Sequence, residues 1–226
     1  MSKILVVPDV HGRKFWHKAE ELINDVDKIV FLGDYLDPYD HEKIIFDDAV
    51  KEFKLILEFK NKYPDKVVLL IGNHCIHYII KEFMNCSRLN IVKRDEIHKF
   101  YNDNIDKFQL IYLSDNYLFS HAGFYLNWVN KYKITLEELL DFKKFLKERW
   151  NTLEDFSYFR GGVDLVGSCI WADIRESLSN ELLPNIQQIV GHTMLKNPYI
   201  SQSISCLDVQ KCFILNTETG EINEVC

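Results

Sequence analysis

Five places in the chain put a metal-capable side chain directly after a short apolar run. Asp9 and His11 follow residues 4–7 in Pro8-Asp9-Val10-His11-Gly12. Asp34 and Asp37 follow residues 28–32 in Gly33-Asp34-Tyr35-Leu36-Asp37, and Asn73 and His74 follow residues 67–71 in Gly72-Asn73-His74. His121 follows residues 117–120, and His192 follows residues 186–190. Carboxylate oxygen and imidazole nitrogen suit manganese, iron or zinc. Asp9, His11, Asp34, Asn73, His121 and His192 together make enough donors for a cage of two divalent metal ions, with manganese expected first and iron or zinc as alternatives. Two metals about 3.5–4 Å apart clamp a phosphoryl oxygen and activate a bridging hydroxide. A shared carboxylate would hold such a pair together, and Asp34 is the candidate.

Each piece alone has an ordinary structural explanation. Asp-x-His after a strand is a helix cap. Gly-Asp is a turn, and Gly-Asn-His is a turn with a left-handed Asn. A single buried histidine is more often satisfied by its neighbours than bound to metal. What separates the chemical reading from these is the joint pattern: five strand tips would deliver polar side chains to one edge, where ligands of open α/β sheets gather. Gly33, Gly72 and Gly191 at those tips allow tight turns and close backbone approach.

The elements that must position these tips follow from periodicity. Residues 4–7, 28–32 and 67–71 read as buried strands, with helices over 14–24 and 42–61 between them, the latter from apolar residues at three- and four-residue spacing. Strand, helix, strand, helix, strand predicts an α/β sheet. Further on, residues 108–113 and 117–120 read as a hairpin around Ser114-Asp115-Asn116. A helix over 135–149 opens on a Thr135/Glu138 capping box. Residues 150–169 read as loop, 186–190 as a strand, and 200–207 and 212–216 as late strands.

Composition sets limits. The 226 residues are 47% hydrophobic and 27% charged, ordinary for a globular protein. With 27 basic against 34 acidic residues the formal charge is −7, which disfavours long nucleic acids, whose phosphates call for many Lys and Arg contacts. No repeat or low-complexity linker breaks the chain, so one domain over 1–226 is expected. The segment 124–170, rich in Trp, Tyr and Phe, is expected to be an inserted wall beside the substrate. The six cysteines form no CxxC pair. No apolar stretch approaches the ~18 residues of a membrane span, and no signal-peptide pattern opens the chain. The expectation is a cytoplasmic protein with free thiols and no membrane association. Oligomeric state leaves no trace in the sequence.

The ordered series Asp9-Val10-His11-Gly12, Gly33-Asp34-Tyr35-Leu36-Asp37, Gly72-Asn73-His74, His121-Ala122-Gly123 and Gly191-His192 resembles the calcineurin-like metallophosphoesterase superfamily. It looks closest to the branch holding the serine/threonine phosphoprotein phosphatases and the symmetrical diadenosine tetraphosphate hydrolases. The motifs span residues 9–192. The resemblance implies a four-layer α-β-β-α sandwich with mixed sheets. It implies that Asp9, His11 and Asp34 hold one metal, and that Asp34, Asn73, His121 and His192 hold the other. It also implies attack by a metal-bridging hydroxide, with His74 as general acid and Asp37 orienting it. Trp171-Ala172-Asp173 is similar to a Trp-Ser-Asp of the phosphatases, so Asp173 is either a supporting group behind the site or simply a helix N-cap.

Two positions depart from the branch. Pro38 stands where an arginine usually grips phosphate, and Cys75 stands where an acid usually follows Gly-Asn-His. Arg13, Arg88, Arg160 and Arg175 are the candidate replacements, since the guanidinium fork suits phosphate. His77 and the sequence His121-Ala122-Gly123-Phe124 lean towards the dinucleotide hydrolases, with His77 a further candidate for substrate contact. The expected activity is a phosphomonoesterase on a phosphorylated protein or small molecule. Alternatives are a dinucleoside polyphosphate hydrolase, then a phosphodiesterase or an inactive binding module.

Overall fold

The computed structural model describes residues 2–83 and 87–225. Along the chain, β1 (Lys3–Val7) leads through a 3-10 turn and the single-turn α1 (Lys18–Glu21) to β2 (Lys28–Phe31). The helix α2 (Phe46–Lys62) connects to β3 (Val67–Leu70), and α3 (Asn73–Ile79) and α4 (Arg94–Asp103) lead to β4 (Phe108–Gln109). Then come β5 (Tyr112–Ser114), β6 (Tyr117–Phe119), α5 (Leu126–Tyr132), α6 (Leu136–Leu140) and α7 (Phe142–Arg149). The chain closes with β7 (Gln187–Val190), β8 (Tyr199–Ile200), β9 (Ile204–Cys206), β10 (Phe213–Asn216) and β11 (Ile222–Glu224).

Among the described residues these strands form two mixed sheets, ordered β11-β10-β1-β2-β3-β4 and β5-β6-β7-β9-β8. β1, β2, β3 and β4 run parallel, while β10 closes antiparallel on β1. In the second sheet β6, β7 and β9 run parallel. The first three strands read as unbroken apolar runs because both their faces are covered. Ile4, Val6, Val30, Val68 and Leu70 meet Tyr117, Phe119 and Ile189 between the sheets. The alternate residues Leu5, Val7, Ile29, Phe31, Val67 and Leu69 pack outward with Phe53 and Ile56 of α2. Leu118 belongs with Phe124 and Trp128, and Val190, Ile204 and Cys206 with Ile174. The result is the expected α-β-β-α sandwich.

Four expected elements differ in detail. The strand expected over 200–207 is β8 and β9 folded back antiparallel, with Ile200 opposite Ser205. The strand pair around residue 114 is a hairpin only from Tyr112 onward, with Ser114 paired to Tyr117. Phe108 and Gln109 instead pair with β3, so the chain changes sheets at Leu110 and Ile111, both buried. The helix over 135–149 does open on the Thr135/Glu138 capping box. It breaks at Asp141, whose non-helical backbone (φ −95°, ψ 78°) lets its side chain accept the Lys144 N–H and start α7 afresh. The helix over 14–24 is a 3-10 turn plus one α turn. Much of the aromatic content of 124–170 is buried, including Phe124, Tyr125, Trp128, Phe142 and Phe145. Cys75, Cys169 and Cys206 are buried thiols, and Cys86 and Cys226 lie outside the described residues. Among those residues no helix is long and apolar enough to cross a membrane.

Phe53 is the pin of the outer layer. Its ring stacks on Tyr35 with centroids 4.8 Å apart and touches Tyr101 and Phe108, so one side chain ties α2 and α4 to the sheet that carries the strand tips. Phe53→Ala is expected to cost about 3–5 kcal/mol. Leu55→Ala, on the exposed face of the same helix, should stay within about 0.5 kcal/mol. Urea denaturation of both variants checks this.

Candidate functional site

The parallel strands bring their carboxyl ends to a common rim, and the polar residues after them meet there. Backbone approach is close enough to exclude side chains. A Cβ on Gly72 would lie 2.2 Å from Asp34 Oδ1 and 2.6 Å from His121 Cε1, and one on Gly191 would lie 2.2 Å from Asp9 Oδ1. Those contacts require glycine. Four of the polar residues, His11, Asp34, Asp37 and His192, adopt positive φ between 46° and 64°. L-residues enter that region at a cost of about 1–3 kcal/mol each, and such strain clusters at functional sites.

Asp34 is the centre. Its Oδ1 accepts the His74 backbone N–H at 2.8 Å. Its Oδ2 faces two imidazole nitrogens, His121 Nε2 at 3.4 Å and His11 Nε2 at 3.7 Å. Both rings are turned by their far nitrogens: His11 Nδ1–H donates to Leu36 O at 2.7 Å and His121 Nδ1–H to Leu32 O at 2.8 Å. That fixes the tautomer and aims each Nε2 inward. Around His121 Nε2 stand Asn73 Oδ1 at 2.9 Å and His192 Nδ1 at 3.1 Å. The His192 N–H anchors to the Asp9 carboxylate at 3.0 Å, and His192 Nε2 is buried with no hydrogen-bond partner among the described residues.

The electrostatics agree with a cation site. Burial drives His11 down to about 3, and burial together with the Arg160 charge holds His192 well below its ordinary value. Burial alone would lower His121 too, but the Asp34 and Asp9 carboxylates hold it up at about 9. Positive charge is therefore stabilised at the point where those carboxylates and Asn73 Oδ1 converge. The remaining donors are neutral imidazole nitrogens, carboxylate oxygens and an amide oxygen, the set that divalent metals take. Asp34 with His11 and His74, and Asp34 with His121 and His192, each place ligand atoms within 4.8 Å of one another. The donor set fits two ions sharing Asp34.

Beside this cage, Asp37 gathers a second cluster. Its Oδ2 accepts from His74 Nδ1 at 2.9 Å and from His77 Nε2 at 2.8 Å, and its Oδ1 from the Tyr78 hydroxyl at 2.6 Å. Burial alone would raise Asp37, but the hydrogen bonds and charges of His74 and His77 outweigh it and keep the carboxyl below its ordinary value. His74 Nε2 then lies against Ser87 Oγ (3.3 Å) and Arg88 Nη2 (3.1 Å), and its ring stands edge-on to that of His11 with centroids 5.0 Å apart. His77, a candidate for substrate contact in the sequence, is fully buried behind His74, one helical turn on and on the same face of α3, and its Nε2 is bonded to Asp37 and not turned to the surface. Cys75 is buried with its sulfur 4.0 Å from Asp34 Oδ1, and burial pushes its thiol up to about 12.

The four arginines differ in how they are held. Arg13 is buried, with Nε on Glu42 at 2.7 Å and Nη1 on Asp9 O at 3.0 Å. Arg175 clasps Asp173 through Nε at 2.7 Å and Nη2 at 2.9 Å. Arg160 bridges from Asp173 (3.6 Å) to the His192 carbonyl (3.4 Å). Arg88 alone touches the Asp37 cluster, with Nη2 3.1 Å from His74 Nε2. Asp173 itself caps the 3-10 turn Ile174–Leu178 in a capping box with Glu176, so the N-cap reading holds, and through Arg160 it also reaches the site. Tyr39, Tyr78 and Asp208 escaped the sequence reading. Asp208 is buried, and burial and the Asp9 carboxylate push it well above its ordinary value. It too follows an apolar run, 204–207, so the rule that found the other tips could have found it. A cavity of about 890 Å³ elsewhere, bordered by Asn116, Gln187 and Ser203, touches none of these residues.

The calcineurin-like phosphoesterase profile matches residues 2–194. The chain belongs to the calcineurin-like phosphoesterase family. That family is dinuclear and metal-dependent, so this member is a metal-dependent phosphoesterase, a hydrolase with metal-capable Asp and His groups at its strand tips. Solved structures share the family fold at low identity. A cold-active protein-tyrosine phosphatase of a psychrophilic Shewanella sp. superposes with TM-score 0.65 at 17% identity, covering 100% of this chain and 81% of its own. A protein serine/threonine phosphatase from Saccharomyces cerevisiae gives 0.60 at 16%, covering 100% and 80%. A metallophosphoesterase from Sphaerobacter thermophilus gives 0.51 at 13%, covering 99% and 86%. No curated protein matches the chain.

Asp173 gives this phosphoesterase an acid-sensitive joint. Burial alone would raise its carboxyl, but the Arg175 hydrogen bonds and the Arg160 charge hold it below the ordinary 3.8. A depressed folded value stabilises the protein above the unfolded value, and this stability is lost as pH falls through the folded one. Asp173→Asn should therefore be less stable than the parent at pH 7, with the gap closing below pH 3.8. Urea midpoints at pH 7, 5 and 3 measure it.

Proposed function

We propose that this phosphoesterase is a phosphomonoesterase of the serine/threonine-phosphatase kind, with manganese as its preferred metal. The observation that carries the reading is the single Asp34 carboxylate oxygen facing both His11 Nε2 and His121 Nε2, with His74 held alongside by Asp37. Asp9, His11 and Asp34 would hold one ion. Asp34, Asn73, His121 and His192 would hold the other. When bound, such a pair polarises a phosphoryl oxygen and lowers the pKa of coordinated water.

The chain's own residues do the rest. Asp37 takes the His74 Nδ1–H, so the exchanging proton rides on Nε2, which lies beside Arg88 Nη2 at 3.1 Å and the Ser87 hydroxyl at 3.3 Å. When Nε2 takes up a proton it gives up the Arg88 N–H bond, and His74 then donates that proton to the departing alcohol oxygen as the P–O bond breaks, which is general-acid catalysis by an imidazole. His77 and the Tyr78 hydroxyl share the Asp37 carboxylate and hold it still. The rim helps to exclude water: Tyr39 lies edge-on to His11 at 5.2 Å, and Trp171 lies edge-on to His192 at 5.7 Å. The structural neighbours that are protein phosphatases support the monoester reading.

Purified protein loaded with Mn²⁺ is expected to hydrolyse p-nitrophenyl phosphate faster than bis-p-nitrophenyl phosphate or diadenosine tetraphosphate. Failure on all three with bound metal confirmed overturns the reading. Preference for the dinucleotide, with release of ADP, replaces it with the polyphosphate-hydrolase alternative. His74→Asn should keep its metal content and lower kcat about 10²–10⁴-fold. Asp34→Asn should lose metal at both positions, as read by elemental analysis of the purified variants.

A further inference from the structure

A phosphate ester bound at two metals still presents anionic oxygens, and a guanidinium within reach of His74 Nε2 is suited to receive them. Three of the four nearby arginines are committed. Arg13 is buried and spends Nε and Nη1 on Glu42 and the Asp9 carbonyl. Arg175 is closed onto Asp173 and the Phe159 carbonyl. Arg160 spans Asp173 and the His192 carbonyl.

Arg88 is held differently. Its Nε donates to the Asp37 carbonyl at 3.1 Å, and Nη2 donates to His74 Nε2 at 3.1 Å. Its guanidinium lies over the Tyr39 ring, 3.7 Å from the centroid. Both N–H groups of Nη1 and the second of Nη2 have no hydrogen-bond partner among the described residues. The residue is only partly buried. A guanidinium with one edge fixed, one face stacked and the other edge open is shaped to take two oxygens of a phosphate.

Resting on the phosphoesterase reading above, we propose that Arg88 is the substrate-phosphate clamp and that Tyr39 is its positioning residue. Asp37 sets the relative geometry of acid and clamp, because its carboxylate holds His74 and its carbonyl holds Arg88. Oxygens gripped by the guanidinium stand next to the nitrogen that must protonate the leaving group. The clamp recognises the phosphoryl group itself, so it acts on any phosphate monoester.

The test is kinetic and by direct binding, on the Mn²⁺-loaded full chain. Arg88→Ala should raise KM for p-nitrophenyl phosphate and weaken inhibition by inorganic phosphate, each at least tenfold, with metal content unchanged and kcat reduced less than KM rises. Arg88→Lys, which keeps the charge but not the fork, should recover only part of the loss. Tyr39→Leu should move the same two constants in the same direction by a smaller factor. Lys147→Ala, which removes an exposed charge on α7, should move neither. If Arg88→Ala leaves KM and phosphate inhibition within twofold, or if Arg160→Ala causes the larger loss, the assignment is wrong. Should the parent protein turn over no ester, the phosphoesterase mechanism fails by itself. Calorimetric binding of inorganic phosphate to metal-loaded parent and Arg88→Ala then decides the clamp, equal affinity overturning it.

Discussion

The burial of two carboxylates at strand ends, Asp9 and Asp34, is the constraint on which the molecule turns. Both are about 1% exposed, where unpaired negative charge is costly. Around them the fold supplies what an anion needs: the N–H of His74 for Asp34, the N–H of His192 for Asp9, and imidazole nitrogens whose far sides are tied to the Leu32 and Leu36 carbonyls. Those ties join the tips of β1, β2, β3, β6 and β7, so strand register and site geometry are one problem. A slip by one residue in any of these strands would swap its core side chains between faces and also withdraw a donor.

This arrangement accepts local strain. His11, Asp34, Asp37 and His192 all take left-handed backbone, a conformation that asparagine or glycine would hold more easily. Each must be kept for its side chain, and the surrounding hydrogen bonds keep the backbone where it is. Asp37 illustrates the logic: three side chains converge on its carboxylate and one guanidinium on its carbonyl. A residue so heavily bonded has little freedom to relax. The same bonding carries orientation outward to His74, the group nearest the solvent side of the cage.

Much of this was legible in the sequence because apolar runs covered on both faces are short, uninterrupted and easy to see, and because a polar residue right after such a run has few reasons to be there. Asp9, His11, Asp34, Asn73, His121, His192, His74 and Asp37 were all named that way or by resemblance, and the structure places them side by side at the strand tips. What could not be read depends on contacts distant in sequence. Tyr78 looks like an ordinary helical residue until α3 is laid against Asp37, and His77, singled out in the sequence for substrate contact, is seen as a partner of Asp37 only then. Arg88 is one of four equal candidates in the sequence, and only its guanidinium laid over Tyr39 sets it apart from Arg13, Arg160 and Arg175. The break at Asp141 hides inside a continuous helical periodicity, because a capping aspartate looks like any exposed polar residue. The sheet change at Leu110 and Ile111 hides inside what reads as one strand, since period alone does not say which neighbour a strand will choose.

The first sheet has a particular order of assembly built into it. β1 finds one neighbour in β2, a short distance along the chain, but its other neighbour is β10, paired from Lys3↔Asn216 to Val6↔Phe213. A ribosome adding about 5–20 residues per second must therefore hold the inner edge of β1 open for some ten seconds or more, until β10 has emerged. Ile4 and Val6, which later meet the second sheet, wait with it. Until residue 213 and those after it have been made, that edge of β1 carries backbone N–H and C=O groups with no strand beside them, the condition in which an unpaired edge invites a wrong partner.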